Sequence, residues 1–363
     1  MFSKLTFKLF LATLALVCSV VLSVFLLAAK TTASEQSQTQ ATTFNTSIPA
    51  LAATITVDPT RPATTTIAPS IASAKQMMAP AQAPTIGPSS IKSGKVEALL
   101  PSVYTPQHLL LAGLPATVYV PAGLPVAQPV QVLVALHGMH SNGGSFCQGL
   151  VSFSEQNHTI LIAPTFDYNP DYTNAQIIAS EDIQLTTKIS QMVKEFGTAS
   201  HLHLKSQLLI YGFSRGAQLA HHFAMLYPKQ TLGVTVFSGG AYTLPFINMG
   251  GPHNQTLVWP IGIGDLSEYT NGKPFDEASF VKIPFNIEVG GDDNKSGDVS
   301  RAWDSYLGTN RLERGQNYYH ALQQLGMNVQ FTVFPKTDHT VSPAMNQTAL
   351  KFMQSLLVAQ VAA

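Results

Sequence analysis

A serine between two glycines stands where an apolar run of residues gives way to a helical pattern. Residues 211–216 read Tyr-Gly-Phe-Ser-Arg-Gly, so Ser214 is the centre of a G-x-S-x-G pattern. A serine in this context lies on a sharp turn between a strand and a helix, where a base can reach its hydroxyl. Glycines at 212 and 216 leave room for such a turn. The pattern predicts nucleophilic chemistry at Ser214, and an ordinary turn that contains a hydroxyl is the alternative.

A nucleophilic serine needs a general base, and the base needs a third group that orients it. His339 follows the last run that reads as a strand, within residues 336–340. The chain has 11 histidines, so position has to select among them. His339 is predicted to lie at the sheet end that carries the serine, which makes it the candidate base. A surface loop histidine is the alternative.

The third group should be a carboxylate that follows a strand between the serine and the histidine. The run 285–289 is followed by two glycines and then by Asp292 and Asp293. We choose Asp293 as the orienting acid, and we expect Asp292 to be a turn aspartate that bonds nearby backbone amides. Asp265, which follows an earlier run, is a second candidate.

Acyl transfer also needs two N–H donors for the oxyanion of the tetrahedral intermediate. One donor would be the amide of Arg215, the residue directly after the serine. The other should come from residues 136–144, which read Leu-His-Gly-Met-His-Ser-Asn-Gly-Gly. Gly138 lets the backbone turn, so the amide of Met139 is the predicted second donor. An ordinary glycine-rich turn is the alternative, and no phosphate-binding glycine motif occurs there.

Two histidine pairs could indicate a metal site instead of a serine site. They are His201-x-His203 and His221-His222. Neither pair is accompanied by an HExxH motif or by paired carboxylates, which catalytic zinc sites usually supply. We therefore expect neither a metal nor a cofactor.

The elements that must position these residues alternate along the chain from about residue 96. Apolar runs typical of strands cover residues 130–136, 159–163, 207–211, 232–237, 285–289 and 329–334. Periodic patterns typical of helices cover residues 177–196 (ending at Gly197), 215–227, 310–325 and 343–358. Continuous apolar strands separated by helices are typical of a mostly parallel sheet covered on both faces. Ligand sites in such sheets lie beyond the C-terminal ends of the strands, where the serine, aspartate and histidine are predicted.

The long segment between residues 237 and 284 is rich in glycine, proline and aromatic residues. Its aromatics include Tyr242, Phe246, Trp259, Tyr269 and Phe275. Segments of this length in a compact domain are usually functional or have structure of their own. We predict that this one forms the wall of the substrate pocket, and simple packing of the aromatics is the alternative.

Composition excludes several other classes of function. The 363 residues contain 20 Lys+Arg and 20 Asp+Glu, so the net charge is zero and the chain has no general attraction to nucleic acid. Two cysteines exclude a disulfide scaffold and a four-cysteine zinc site. Charged residues make up only 11%, where about 25% is usual. Two N-terminal segments explain part of this deficit.

The first segment is apolar and the second is polar but weakly charged. Residues 9–29 carry no charge, follow Lys4 and Lys8, and are numerous enough to span a bilayer. We predict that residues 1–30 are a signal peptide or an uncleaved signal anchor, with membrane contact only through 9–29. In residues 31–95, 40 of 65 are Ala, Thr, Pro or Ser, which predicts a disordered linker. Either way, residues 96–363 would lie outside the cytoplasm, secreted or membrane-anchored.

The chain order Ser214, Asp293, His339, with the elbow and the His-Gly loop, resembles the α/β-hydrolase fold over residues 96–363. Within that superfamily it is similar to secreted poly(3-hydroxybutyrate) depolymerase-like and feruloyl-esterase-like serine esterases. The resemblance implies a nucleophile at Ser214, a base at His339 and an orienting acid at Asp293. It also implies an oxyanion hole made by the amides of Met139 and Arg215.

These inferences together predict an extracytoplasmic serine hydrolase that cleaves carboxylic esters through an acyl-enzyme. The expected partner is a small-molecule or polymeric ester, with no cofactor and no nucleic acid. The related secreted families often carry extra cysteines near the site, whereas this chain has only Cys147 there, so the substrate class does not carry over. A peptidase or acyltransferase with the same triad is an alternative, and a non-catalytic binding protein on this scaffold is a further one.

Overall fold

The computed structural model describes residues 106–125, 127–249 and 255–362. The predicted signal segment 1–30 and linker 31–95 lie outside the described residues, as does the start of the predicted domain 96–363. Those boundaries therefore stay predictions. No helix within the described ranges is both long enough and apolar enough to cross a bilayer.

A mostly parallel sheet of eight strands lies at the centre of the domain. The strands are β1 Gln107–Leu111, β2 Leu114–Tyr119, β3 Val132–Leu136, β4 Ile160–Pro164, β5 Leu208–Phe213, β6 Thr231–Phe237, β7 Phe285–Gly290 and β8 Val329–Phe334. Their order across the sheet is β1-β2-β4-β3-β5-β6-β7-β8. Strands β3 to β8 run parallel, and β2 pairs antiparallel with both β1 and β4. The six strands predicted from the sequence are confirmed.

Helices connect the parallel strands. They are α1 Gly143–Phe146, α2 Val151–Gln156, α3 Ala175–Ser200, α4 Arg215–Leu226, α5 Leu266–Tyr269, α6 Glu277–Phe280, α7 Asp304–Leu307, α8 Arg311–Gln324 and α9 Pro343–Ala362. The four long ones correspond to the four predicted helices.

The predicted end of α3 at Gly197 is wrong, because the helix continues to Ser200. It ends where His201 adopts a left-handed backbone with φ 56°. Gly197 has a packing role instead of a terminating one. A Cβ added there would lie 3.0 Å from the Leu204 side chain, so the glycine allows a close approach within the fold.

Both faces of the sheet are buried, which explains the continuous apolar strands. In β3, Val132, Val134 and Leu136 belong to the hydrophobic cluster that contains α3, α4 and α8 residues. Leu133 and Ala135 belong to the opposite cluster, which α9 covers. The catalytic-type residues lie at the C-terminal edge of this layered core, on the loops that follow the parallel strands.

Candidate active site

Ser214 occupies the sharp turn between β5 and α4. Its backbone has φ 54° and ψ −115°, a region that residues with a side chain rarely adopt. Such a conformation persists only where the surroundings hold it in place. Here the Ser214 N–H donates a 2.9 Å hydrogen bond to the carbonyl of Phe237 at the end of β6. The turn is thereby tied to the neighbouring strand.

The two glycines of the elbow are required by close backbone contacts. A Cβ on Gly212 would lie 2.3 Å from the carbonyl oxygen of Gly216. A Cβ on Gly216 would lie 2.0 Å from the carbonyl oxygen of Leu136 on β3. Both distances are far below van der Waals contact, so any side chain would displace backbone. The glycines let α4 begin directly against the ends of β3 and β5.

Ser214, His339 and Asp293 form one hydrogen-bonded chain. His339 Nε2 lies 2.9 Å from Ser214 Oγ, and His339 Nδ1 lies 2.8 Å from Asp293 Oδ2. A neutral imidazole with its proton on Nδ1 satisfies both bonds, because it donates to the carboxylate and accepts from the hydroxyl. The His339 ring also packs on Phe213, with ring centroids 4.7 Å apart. This geometry can deprotonate the serine as it attacks a substrate.

Of the three aspartates weighed as the orienting acid, Asp293 is the one bonded to the histidine. Its side chain is almost fully buried, at 1% exposure. Asp292 is exposed, and its N–H donates to the carbonyl of Thr337 at 2.9 Å. Asp265 lies elsewhere, where its Oδ1 accepts the Trp259 N–H at 2.6 Å. Asp265 thus has a local structural contact and no bond to His339.

Arg311 at the start of α8 completes the site and was not found from the sequence. Its guanidinium Nη1 lies 3.2 Å from Asp293 Oδ1, the carboxylate oxygen that His339 does not contact. Its Nη2 donates to the carbonyl of Asp298 at 2.8 Å. Burial raises the pKa of Asp293, but the hydrogen bond and charge of His339, the Ser238 hydroxyl and the charge of Arg311 together outweigh it. The net pKa is below the ordinary value, so the acid is ionised.

The His-Gly loop lies directly against the serine. A Cβ on Gly138 would be 3.1 Å from Ser214 Cβ. Buried His137 fixes the loop, because its Nδ1–H donates to the Gly138 carbonyl at 2.7 Å and its Nε2 accepts the Phe166 N–H at 3.0 Å. Burial lowers the pKa of His137, in keeping with this neutral form. These bonds hold the loop directly beside the serine.

The two predicted oxyanion donors border the same cavity as the serine. Within the described part of the chain, the backbone amides of Met139 and Arg215 donate to no other group. The Arg215 amide is at the N-terminus of α4, where the helix dipole adds positive potential.

The Arg215 side chain has a structural role that is separate from the role of its backbone amide. Its guanidinium is 2% exposed and pairs with Asp182 and Glu181 on α3, at 3.1 and 2.5 Å. It also lies 5.0 Å from the centre of the Tyr168 ring. The pairing binds the first turn of α4 to α3. The positive charge is neutralised by these carboxylates, while the backbone amide of the same residue borders the cavity.

A cavity of about 440 Å³ opens beside Ser214 and His339. This volume is within the range usual for small-molecule sites. Its apolar walls come from residues on several different loops, namely Met139, Tyr172, Phe213, Val299 and Trp303. The long segment 238–283 contributes only Gly240 to the lining residues described.

The prediction that the aromatics of this long segment wall the pocket is wrong, and the packing alternative is correct. Tyr242 stacks on Tyr318 with centroids 4.6 Å apart, and its hydroxyl accepts the Gly239 N–H at 3.1 Å. The Trp259 indole N–H donates to the Ala179 carbonyl at 3.2 Å. Both rings are buried in the core because their polar atoms find partners there.

The adjacent histidines on α4 are bonded within the core. His221 Nδ1 donates to the Ala217 carbonyl at 3.1 Å, and its Nε2 accepts the Thr243 N–H at 2.9 Å. His222 Nδ1 lies 2.5 Å from Asp182 Oδ2. His201 and His203 are exposed near the end of α3. Across the described ranges, no group of three or more His, Cys, Asp or Glu side chains could hold a metal ion.

Comparison with known proteins finds similar structures but no matching sequence family. No protein-family model and no curated protein sequence matches the chain. Among solved structures, it is similar to poly(aspartic acid) hydrolase-1 from Sphingomonas sp. KT-1, with a TM-score of 0.53, 20% identity, and coverage of 69% of this chain and 98% of that one. It is also similar to a poly(3-hydroxybutyrate) depolymerase from Bordetella parapertussis, with a TM-score of 0.51, 20% identity, and coverage of 67% and 84%. The chain has the fold of the α/β-hydrolase superfamily.

Proposed function

We propose that this protein is a serine hydrolase that cleaves carboxylic esters. The observation that carries the proposal is the hydrogen-bonded chain from Ser214 through His339 to Asp293, set on a strained elbow beside a cavity. A hydroxyl, a base and a buried ionised acid in this order form the arrangement that activates a serine for acyl transfer. The α/β-hydrolase fold supports the hydrolase class.

In the proposed reaction, Ser214 Oγ attacks the ester carbonyl and His339 Nε2 takes its proton. The ionised Asp293 stabilises the imidazolium through Nδ1–H, and Arg311 holds the far oxygen of the carboxylate. The amides of Met139 and Arg215 bind the oxyanion. His339 then protonates the leaving alcohol, and a water activated by the same histidine releases the acid from the acyl-enzyme.

The proposed location is outside the cytoplasm. This part of the proposal rests on the sequence of residues 9–29, which is uncharged, apolar and long enough to span a bilayer, and on the weakly charged linker at 31–95. The domain 96–363 would be secreted after cleavage or held at the membrane by an uncleaved anchor. N-terminal sequencing of the mature protein and fractionation of the cells that make it separate the two forms. A mature protein in the cytoplasm with Met1 intact would contradict both.

Labelling with a fluorophosphonate probe tests the nucleophile. We expect the folded wild type to be labelled at Ser214 and the Ser214→Ala variant to be unlabelled and to lose p-nitrophenyl butyrate turnover. Ser355→Ala, which removes an exposed hydroxyl on α9, is the matched control and should keep both. A folded wild type that is neither labelled nor active would contradict the hydrolase proposal and would favour a non-catalytic binding protein.

The bond that is cleaved needs a separate measurement. Paired p-nitrophenyl esters and p-nitroanilides of the same acyl group compare ester with amide turnover directly. We expect the esters to be hydrolysed and the anilides to be resistant. Efficient anilide cleavage would favour a peptidase, and acyl transfer to an added alcohol in preference to water would favour an acyltransferase.

A further inference from the structure

Two nearly buried polar side chains line the cavity and have no hydrogen-bond partner among the described residues. Gln218 on α4 and Ser300 in the loop before α7 are each 5% exposed, and both line the cavity. Within the described residues, the Gln218 amide and the Ser300 hydroxyl bond to no other protein group. Their polar atoms keep solvent access on the cavity side, so they are available to bond with a molecule that enters it.

A fully buried arginine joins two loops that line the cavity. Arg314 donates to the carbonyl of Gly240 at 2.6 Å and to the carbonyl of Ser300 at 2.6 Å. A Cβ on Gly240 would be 4.0 Å from Gln218 Nε2, so Gln218 lies directly beside that loop. Arg314 also pairs with Asp304 at 3.0 Å. One buried side chain therefore holds Ser300 and the loop beside Gln218 together.

The charged groups around the cavity are already paired with one another. Arg311 is bonded to Asp293 and to the backbone of Asp298, and its guanidinium also faces the Asp298 carboxylate at 3.7 Å. The Arg215 guanidinium is bonded to carboxylates of α3. Among the described lining residues, no unpaired Lys or Arg side chain is left for an anionic substrate. The lining suits a neutral substrate with polar atoms.

We propose that Gln218, assisted by Ser300, is the specificity-determining residue of this site and binds a second oxygen of a neutral ester substrate. That oxygen is a carbonyl or hydroxyl separate from the scissile ester. A side-chain amide can both donate to and accept from such a group, and a serine hydroxyl can do the same. This inference rests on the proposed ester hydrolysis, because it concerns which ester that reaction accepts.

Matched esters that differ by one oxygen test the inference on the full-length protein. Methyl hexanoate against methyl 5-oxohexanoate places the extra carbonyl on the acyl side, and pentyl acetate against 4-oxopentyl acetate places it on the alcohol side. Released acid is followed by titration at constant pH. We expect the wild type to prefer the oxo ester in at least one pair by about tenfold in kcat/KM, the equivalent of about one neutral hydrogen bond.

Substitution of Gln218 tests whether this side chain causes the preference for the oxo ester. In Gln218→Leu the ratio of oxo ester to plain ester should fall to below about threefold, and Ser300→Ala should lower it by a smaller factor. Gln148→Leu makes the same change at an exposed glutamine away from the cavity and should keep the wild-type ratio. If Gln218→Leu does not fold, Gln218→Glu keeps the side-chain shape, and its negative charge should lower the same ratio.

The outcomes separate this inference from the proposed function. A wild type that hydrolyses the plain and oxo esters with equal kcat/KM in both pairs overturns the inference and leaves the esterase proposal intact. A preference that survives in Gln218→Leu or in folded Gln218→Glu also overturns it. A wild type that hydrolyses none of the four esters, with Ser214 unlabelled, contradicts the proposed function itself.

Discussion

Glu288 on β7 should make the stability of this protein depend on pH in an unusual direction. The residue has no exposed surface, and its Oε1 accepts the Asn286 Nδ2–H at 2.7 Å. Its Oε2 has no partner among the described residues. Burial raises the pKa of Glu288 to about 8, against the lesser effect of the Asn286 bond. The folded protein therefore holds a proton on this side chain at neutral pH.

The size of the effect follows from the two pKa values. The unfolded chain releases the proton near pH 4.5, whereas the folded protein releases it near pH 8. The stabilisation is fully present below pH 4.5 and is lost as the pH rises toward 8, because only the unfolded state gains from ionisation. Each pH unit changes the free energy of unfolding by about 1.4 kcal/mol. Across the window the loss is about 5 kcal/mol.

Glu288→Gln removes this titration with little change in shape. We expect urea unfolding at pH 5, 6, 7 and 8 to show the variant gaining on the wild type by about 1.4 kcal/mol per pH unit. Glu268→Gln makes the same substitution at an exposed position and should follow the wild type. The difference between variants cancels every other titrating group. Parallel pH profiles for the wild type and Glu288→Gln would refute a buried, protonated Glu288.

Two further predictions test the acid assignment and the elbow. Asp293→Asn should lower kcat/KM for an ester by about 10³- to 10⁴-fold because the imidazole loses its orienting partner, whereas Asp292→Asn should stay within about threefold; equal losses would reject Asp293. Gly216→Ala should lower the free energy of unfolding by about 3 kcal/mol or more, since its methyl would meet backbone at 2.0 Å. Gly149→Ala, where a Cβ would make only an ordinary contact with the Asn346 side chain at 3.5 Å, should change stability by less than about 0.5 kcal/mol, as measured by urea unfolding.

The parallel strands were predictable because their signal is local. A strand that is buried on both faces must be apolar throughout, as β3 and β5 are. Strands β1 and β2 were missed because their burial is partial and their apolar run is short. A signal was present at the turn between them. Ala112 and Gly113 have φ of 50° and 78°, and a glycine in a two-residue connection is typical of a hairpin.

The chain order of the elbow, the acid and the histidine was also readable from the sequence, since each follows a predicted strand at one edge of the sheet. The contacts of Arg311 and Arg314 were not readable. Their partners lie 18 and 74 positions away in the chain, and no spacing rule connects an arginine on α8 to a carbonyl after β6. The prediction that the segment 237–284 forms the pocket wall was wrong for a related reason. Aromatic content indicates burial, but it does not say whether the buried face meets a ligand or the core.

Three arginines around the site are paired with groups of the protein itself. Arg215 binds the elbow to α3, Arg311 holds the orienting acid, and Arg314 joins the loops after β6 and β7. Each guanidinium forms hydrogen bonds or ion pairs with carboxylates or carbonyls of the protein itself. Loops that follow different strands are thereby fixed to one another, as the placement of a serine, a histidine and an aspartate within hydrogen-bond distance requires. Because the arginine charges in the described lining are paired internally, the uncharged polar groups that remain there include the Gln218 amide and the Ser300 hydroxyl. In the proposed reaction, discrimination between esters would come from the position of neutral hydrogen bonds, which we propose that Gln218 sets.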